Sequence, residues 1–170
     1  MGVVIMNAQY SWLARGASRG LRPSDQALLP GAEPPIGAHV VTPRRTFAHH
    51  GIYVGWGRVA QYGGLVHGLR RGPVEEVSLS QFAHGRSIWI RTSESIWLDP
   101  DEVVRRARQR LGENRYHVLT NNCEHFCEWC VRGEHRSYQV DELIARCGRV
   151  RYQAIKLFAR ALFVHGEMRV

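Results

Sequence analysis

Residues 46–64, TFAHHGIYVGWGRVAQYGG, set two adjacent histidines at the start of a β-branched and aromatic run that turns at Trp56-Gly57 and runs back. Such a pattern predicts a β-hairpin. Its register decides what the histidines do. A two-residue turn at Trp56-Gly57 pairs Ile52 with Gln61 and sends His49 and Gln61 to opposite faces. A three-residue loop, with Gly57 left-handed as a bulge, pairs Gln61 with Gly51 instead. His49 then becomes a diagonal neighbour of Gln61 on one face, roughly 7 Å away, and His50 points to the other. A role for His49 beside Gln61 therefore calls for an odd-length loop.

Working outward, AHVVT before this hairpin and RSIWIRT after it read as further strands, giving a mostly antiparallel sheet. EEVSLSQFAHG lies between, with Ser80 as the cap of one helical turn. Residues 14–37 hold four of the seven prolines and no period, so residues 1–36 are expected to be an N-terminal arm or loop. The strongest helix signals follow: Asp99 as N-cap, Pro100 at the first position, Glu102 after it, a stripe of Val103, Val104, Ala107 and Leu111, and Gly112 as terminator. A short extended run from Tyr116 to Leu119 leads into TNNCEHFCEWCVRG, a second helix capped by Asn121 or Asn122 and closed by Gly133.

In that second helix Cys123 falls within the first turn, as its second or third residue. Unpaired N–H groups and the helix dipole favour negative charge there, so the thiol pKa is expected to fall, as a nucleophile requires. Cys127 and Cys130 lie on the same face but deeper along the helix, as inert packing thiols. No metal is expected: a continuous helix would have to present three sulfurs inward while His125 points elsewhere, whereas structural zinc sites take paired cysteines from a tight turn. A purely structural cysteine cluster remains a competing reading. A thiol nucleophile needs an imidazole base and a third group to orient it. Of the nine histidines, His49 and His50 stand at a strand start whose hairpin supplies such a group in Gln61.

The chain has 170 residues, 44% of them hydrophobic, and a formal net charge of +8, which suits one compact domain and an anionic partner. Nucleic acid is not expected as that partner, since no zinc-finger spacing, aromatic RNA-binding signature or heptad-backed basic region is present. Three of the four cysteines fall within eight residues, from 123 to 130, which argues for reduced thiols rather than a disulfide framework. The N-terminus MGVVIMNAQYSWLARG lacks a signal-peptide start, and Met6 stands where a myristoylation signal wants Ser or Thr. With no apolar run long enough to span a bilayer, a cytoplasmic protein is expected, at most peripheral at a membrane surface. Residues 141–170 read as a basic amphipathic helical segment. Ile144, Cys147, Ile155, Phe158 and Leu162 share a face, with Arg149, Lys156 and Arg160 elsewhere. That segment either packs on its own domain or lies on anionic lipid.

HHGIYVG followed about seventy residues later by NNCEHF resembles the lecithin:retinol acyltransferase-like family, bacterial members included, within the permuted NlpC/papain-like superfamily. The resemblance runs from about Gly37 to Gln139, and both motifs in this order make it specific. It implies an α+β fold, with a catalytic domain at 37–140 in which a small antiparallel sheet packs against a helix carrying the cysteine nucleophile at its N-terminus. It makes Cys123 the nucleophile, His49 the general base and acid, and Gln61 the group that orients His49. Many members have a second histidine at that last position, and a glutamine carbonyl accepts the imidazole N–H without supplying charge. His50 takes an aromatic position of the motif, and Asn122 and Tyr53 complete the candidate site. The implied activity is thiol-mediated acyl transfer or phospholipase A1/A2-type hydrolysis of a glycerophospholipid ester through a cysteine thioester, with no cofactor and the backbone N–H of Cys123 in the oxyanion hole. An amidase or peptidase of the NlpC type, and a weakly active or inactive membrane-binding domain, are the alternatives.

Overall fold

The computed structural model describes residues 20–63, 72–92 and 98–164, with only the backbone for 152 and 154–164. Six antiparallel strands form one sheet: β1 Gln26–Ala27, β2 His39–Pro43, β3 Ala48–Gly55, β4 Arg58–Tyr62, β5 Val74–Ser78 and β6 Trp89–Ile90, in the order β1-β6-β2-β3-β4-β5. Among the described residues four helices accompany them: α1 Leu79–Ala83, α2 Pro100–Gln109, α3 Cys123–Arg132 and α4 Tyr138–Val164. The α+β class and the antiparallel sheet agree with the sequence reading.

Alternation along β3 and β4 sorts the core. Ile52, Ala60 and Tyr62 face Val103, Val104 and Ala107 of α2 and Phe126, Cys127 and Cys130 of α3. Tyr53 and Val59 face the other way, against Phe82 of α1, Val40 and Ile90. A third cluster, Val41, Ala48 and Trp89 with Ala27, covers the end of the sheet near β1. Most of the largest buried side chains thus belong to strands, as β-branched and aromatic residues on a half-buried pleat should.

The hairpin has the register that brings Gln61 opposite Gly51, but not by the expected route. The loop has two residues, Trp56 and Gly57, with φ of +54° and +65°, closed by the Gly55–Arg58 pair. The extra residue is Val54, which interrupts the ladder between Tyr53–Val59 and Gly55–Arg58 as a β-bulge. One inserted residue in a strand shifts register just as an odd loop would. Periodicity cannot tell the two apart, because both leave the same count between Gly51 and Gln61.

Local signals held at the helix ends. Asp99 caps α2 with Pro100 at its start, and Asn122 caps α3 with left-handed Gly133 after it, which makes Cys123 the first helical residue where the second or third was expected. Four further readings differ. Ser78, not Ser80, caps α1, because Glu75 to Ser78 pair with β4 as β5. Leu111 is exposed, since α2 ends at Gln109. Tyr116 to Leu119 form no strand, because the His117–Asn121 bridge closes a turn there. Within the segment expected to be an arm, Gln26 and Ala27 pair with β6, while residues 1–19 lie outside the described part.

By contact the chain divides at Ser137/Tyr138. The second unit is the 27-residue α4. On it Leu143, Ile144 and Val150 are exposed, as are Cys147 and Arg149, whereas the side chains of Ile155, Lys156, Phe158, Arg160 and Leu162 are not described. Among the described residues no helix is long and apolar enough to cross a membrane.

Trp56 is 94% exposed in a left-handed conformation that a bulky side chain adopts at a cost of about 1 kcal/mol or more and that asparagine tolerates. Trp56→Asn should therefore raise the unfolding free energy by about 1 kcal/mol, read as a higher urea midpoint at unchanged slope. An unchanged midpoint would mean the turn carries no such strain.

Candidate active site

The hairpin register puts His49 and Gln61 on one face, with His49 Nε2 2.8 Å from Gln61 Oε1. Gln61 Nε2 in turn donates to Glu75 Oε1 at 3.0 Å, across the Gln61–Glu75 strand pair. The Phe82 ring lies 5.2 Å from that of His49. Arg44, in the β2–β3 turn, donates to the Phe82 and Ala83 carbonyls at 2.7 and 3.1 Å. Burial lowers the pKa of His49 to about 4. The bond to Gln61 opposes that shift and the charge on Arg44 adds to it.

His50 alternates to the face covered by α3, as expected, where its Nδ1 lies 2.8 Å from His39 Nε2. His39 Nδ1 approaches Glu128 of α3 at 3.9 Å. Burial holds both imidazoles well below their usual pKa, so all three histidines are neutral bases at pH 7.

Cys123 meets this strand from α3. Tyr53 exchanges both of its backbone bonds with the 37–38 segment on the β2 side, so the donors of Ile52 and His50 face β4. Pairing with β4 stops at Gly51–Gln61. The next donor on that edge, the His50 N–H, bonds the Cys123 sulfur, and the N–H groups of the helix start at Cys123 and Glu124 also favour negative charge there. The sulfur thus touches the peptide bond that joins His49 to His50.

The expected fall in the thiol pKa does not occur. Cys123 is only 4% exposed, and burial pushes its thiol up to about 12. The three N–H groups work against that shift and the Glu124 charge adds to it. The helix-end argument is sound locally, but desolvation of a thiolate is the larger effect. Cys127 and Cys130 are buried and raised too, chiefly by desolvation, as packing thiols should be.

The first turn of α3 is fixed by polar groups out of contact with solvent. Asn122 Oδ1 accepts from the Glu124 and His125 N–H groups at 2.9 and 3.1 Å. Glu124 accepts from Arg91 Nη1 at 2.8 Å and from Ser137 Oγ at 2.8 Å, and Arg91 also reaches both carboxylate oxygens of Asp25. Tyr53 is not brought to the sulfur. Its hydroxyl donates to Glu33 and accepts from the Gly57 N–H, about 13 Å along β3 from His49, where it ties the hairpin turn. Glu75, Arg44, Arg91 and Asp25 were not singled out from sequence. Only the charge of Arg91 within an otherwise apolar strand run could have marked it.

No cluster of three or more metal-ligating side chains occurs among the described residues. What the arrangement offers is a thiol, a neutral imidazole whose Nε2 is committed to an amide oxygen, and backbone donors at a helix start. Those are the components of nucleophilic acyl chemistry.

Comparison with known proteins identifies a family. A family model described as Lecithin retinol acyltransferase matches residues 32–136. Curated lecithin retinol acyltransferases are similar as well. The mouse protein is 30% identical over 69% of this chain and 59% of its own length. Rat is 31% identical over 58% and 54%, and human is 32% identical over 59% and 55%. The chain thus spans just over half the length of the curated relatives it matches.

Two outcomes follow from burial. Arg91→Leu strands the Asp25 and Glu124 carboxylates and should cost about 3–5 kcal/mol, seen as a lowered denaturant midpoint. Between pH 6.5 and about 4 the unfolded chain binds a proton at His49 that the folded chain refuses, so stability falls as pH drops through that window, by about 3 kcal/mol from His49 alone. His49→Gln should flatten this dependence in urea titrations at pH 7.5 and 4.5. An equal slope in both proteins would remove the imidazole as its cause.

Proposed function

Because the chain belongs to the lecithin retinol acyltransferase family, we propose that it is a thiol-dependent acyl-transfer enzyme acting on glycerophospholipid esters, with Cys123 as nucleophile, His49 as base and acid, and Gln61 as orienter. The observation that carries this reading is the meeting of the Cys123 sulfur with the His50 N–H, one peptide bond from an imidazole held by Gln61 at 2.8 Å. Cysteine at a helix start and histidine on a strand, in the chain order His then Cys, also support a permuted NlpC/papain-like fold.

The chemistry runs in two halves. With thiol and imidazole both neutral, the sulfur attacks the ester carbonyl carbon while His49 takes the thiol proton, and the carbonyl electrons move to oxygen. The backbone N–H of Cys123 at the helix start faces that oxyanion. Collapse breaks the ester C–O bond, His49 returns the proton to the departing lysophospholipid oxygen, and the acyl group remains on sulfur as a thioester. An acceptor hydroxyl or water then attacks the thioester with His49 as base, and the thiol is restored. No redox step or cofactor enters. The charge of +8 supports work at an anionic lipid surface by a protein of peripheral location.

Incubation with phosphatidylcholine vesicles should give an acyl adduct by intact mass. The adduct should be absent in Cys123→Ala and His49→Ala and present in His50→Phe. An adduct that survives in Cys123→Ala, or no adduct with any glycerophospholipid, would overturn the proposal. Loss in His50→Phe with retention in His49→Ala would exchange the roles of the two histidines.

A further inference from the structure

The glutamine at position 61 raises a problem that a second histidine would not. A primary carboxamide has an acceptor end and a donor end of nearly equal size, so it can meet an imidazole either way round. With oxygen toward His49, the ring must carry its proton on Nε2, and Nδ1 holds the lone pair. With the NH2 group toward His49, Nε2 must accept, the proton moves to Nδ1, and Nδ1 is no longer a base. The backbone does not decide between these two arrangements.

Glu75 breaks the degeneracy. Its carboxylate can only accept, and Oε1 lies 3.0 Å from Gln61 Nε2, so the NH2 end is held there and the oxygen faces His49 at 2.8 Å. Gln61 and Glu75 are directly opposed strand partners, which fixes the separation of their side chains. Room for the carboxylate comes from Gly63. A Cβ at that position would stand 2.9 Å from Glu75 Oε1, closer than such atoms pack, and 3.0 Å from the Pro73 carbonyl oxygen. Glu75, Gln61 and His49 thus form one chain of hydrogen bonds from β5 through β4 to β3.

We propose that Glu75 is a positioning residue of the acyl-transfer site: it locks the Gln61 amide so that His49 is held as its Nε2–H tautomer, which leaves the ring's lone pair on Nδ1, the nitrogen that must act as base toward Cys123 under the proposed function. The inference rests on the proposed function for its consequence but not for its geometry. A carboxylate behind the amide also polarises it, which strengthens the Gln61 oxygen as acceptor and supplies from the next strand the charge that a glutamine lacks. The His49–Gln61–Glu75 chain is in this respect a substitute for a charged orienter, built from a neutral residue and a charged one.

The test reads the tautomer directly. Nitrogen–proton correlation spectra of His49 at pH 7.5, without lipid, should show the Nε2–H form in the parent protein. In Glu75→Leu the Nδ1–H form should appear, and Glu75→Gln, whose amide can face either way, should show both. Alkylation of Cys123 by iodoacetamide should slow by roughly 10- to 100-fold in Glu75→Leu, up to the lower end of what general-base assistance contributes, while Glu75→Asp restores most of the rate. Thermal midpoints identify which variants are folded. An unchanged Nε2–H tautomer in folded Glu75→Leu, with an unchanged alkylation rate, would overturn the assignment. If the tautomer responds to Glu75 while Cys123→Ala still forms acyl adducts, the positioning role stands and the reading of the site fails.

Discussion

A buried ion pair determines where the reactive helix starts. Arg91 and Glu124 are both enclosed, and taking two charges out of water costs several kcal/mol per ion unless nearly every donor and acceptor is met. Here they are largely met: Arg91 spans Glu124, both oxygens of Asp25 and the Gly20 carbonyl, and Ser137 takes the remaining Glu124 oxygen. Such a pair tolerates little displacement. Since Glu124 follows Cys123 in the chain and Arg91 follows β6, the pair pins the first turn of α3 to the sheet, and the position of the sulfur follows from it.

The second constraint is the inserted residue at Val54. It leaves Gln61 opposite Gly51 and so puts His49 and Gln61 on one face, while the sheet edge beyond that pair is open to the sulfur. A straight ladder closed by the same two-residue turn would reverse the facing of Gln61 relative to His49. One extra residue between Tyr53 and Gly55 therefore decides whether an imidazole with an orienting partner exists at all.

Much of this was legible in the chain because its signals are local. Asp99-Pro100, Asn122 and Gly133 mark helix ends through their own backbone and side-chain preferences, and the alternation around His49 and His50 marks a strand by itself. What was not legible depends on residues far apart. The bulge at Val54 and an odd loop give the same spacing. Nothing local in EEVSLSQFAHG marks Glu75 as a partner of Gln61; the pairing of β5 with β4 makes it one. The fall expected for the Cys123 thiol came from the helix start alone. The rise comes from α3 packing its first turn into the core, a quantity no window of sequence contains.

That burial also constrains the chemistry proposed for the site. Burial pushes the Cys123 thiol up to about 12 and the His49 imidazole down to about 4, so desolvation opposes the charged form of each group. Both shifts favour the neutral thiol and the neutral imidazole, and under the proposed function the proton then leaves the thiol as the sulfur attacks. Coupled transfer of this kind depends on which ring nitrogen holds the lone pair more than on the average charge of the site. A preformed ion pair has both nitrogens protonated and does not distinguish tautomers, whereas a neutral imidazole is a base at one nitrogen only. The dry, closed arrangement that raises the thiol is the same one that makes the orientation of a single amide, Gln61, decide whether His49 can serve.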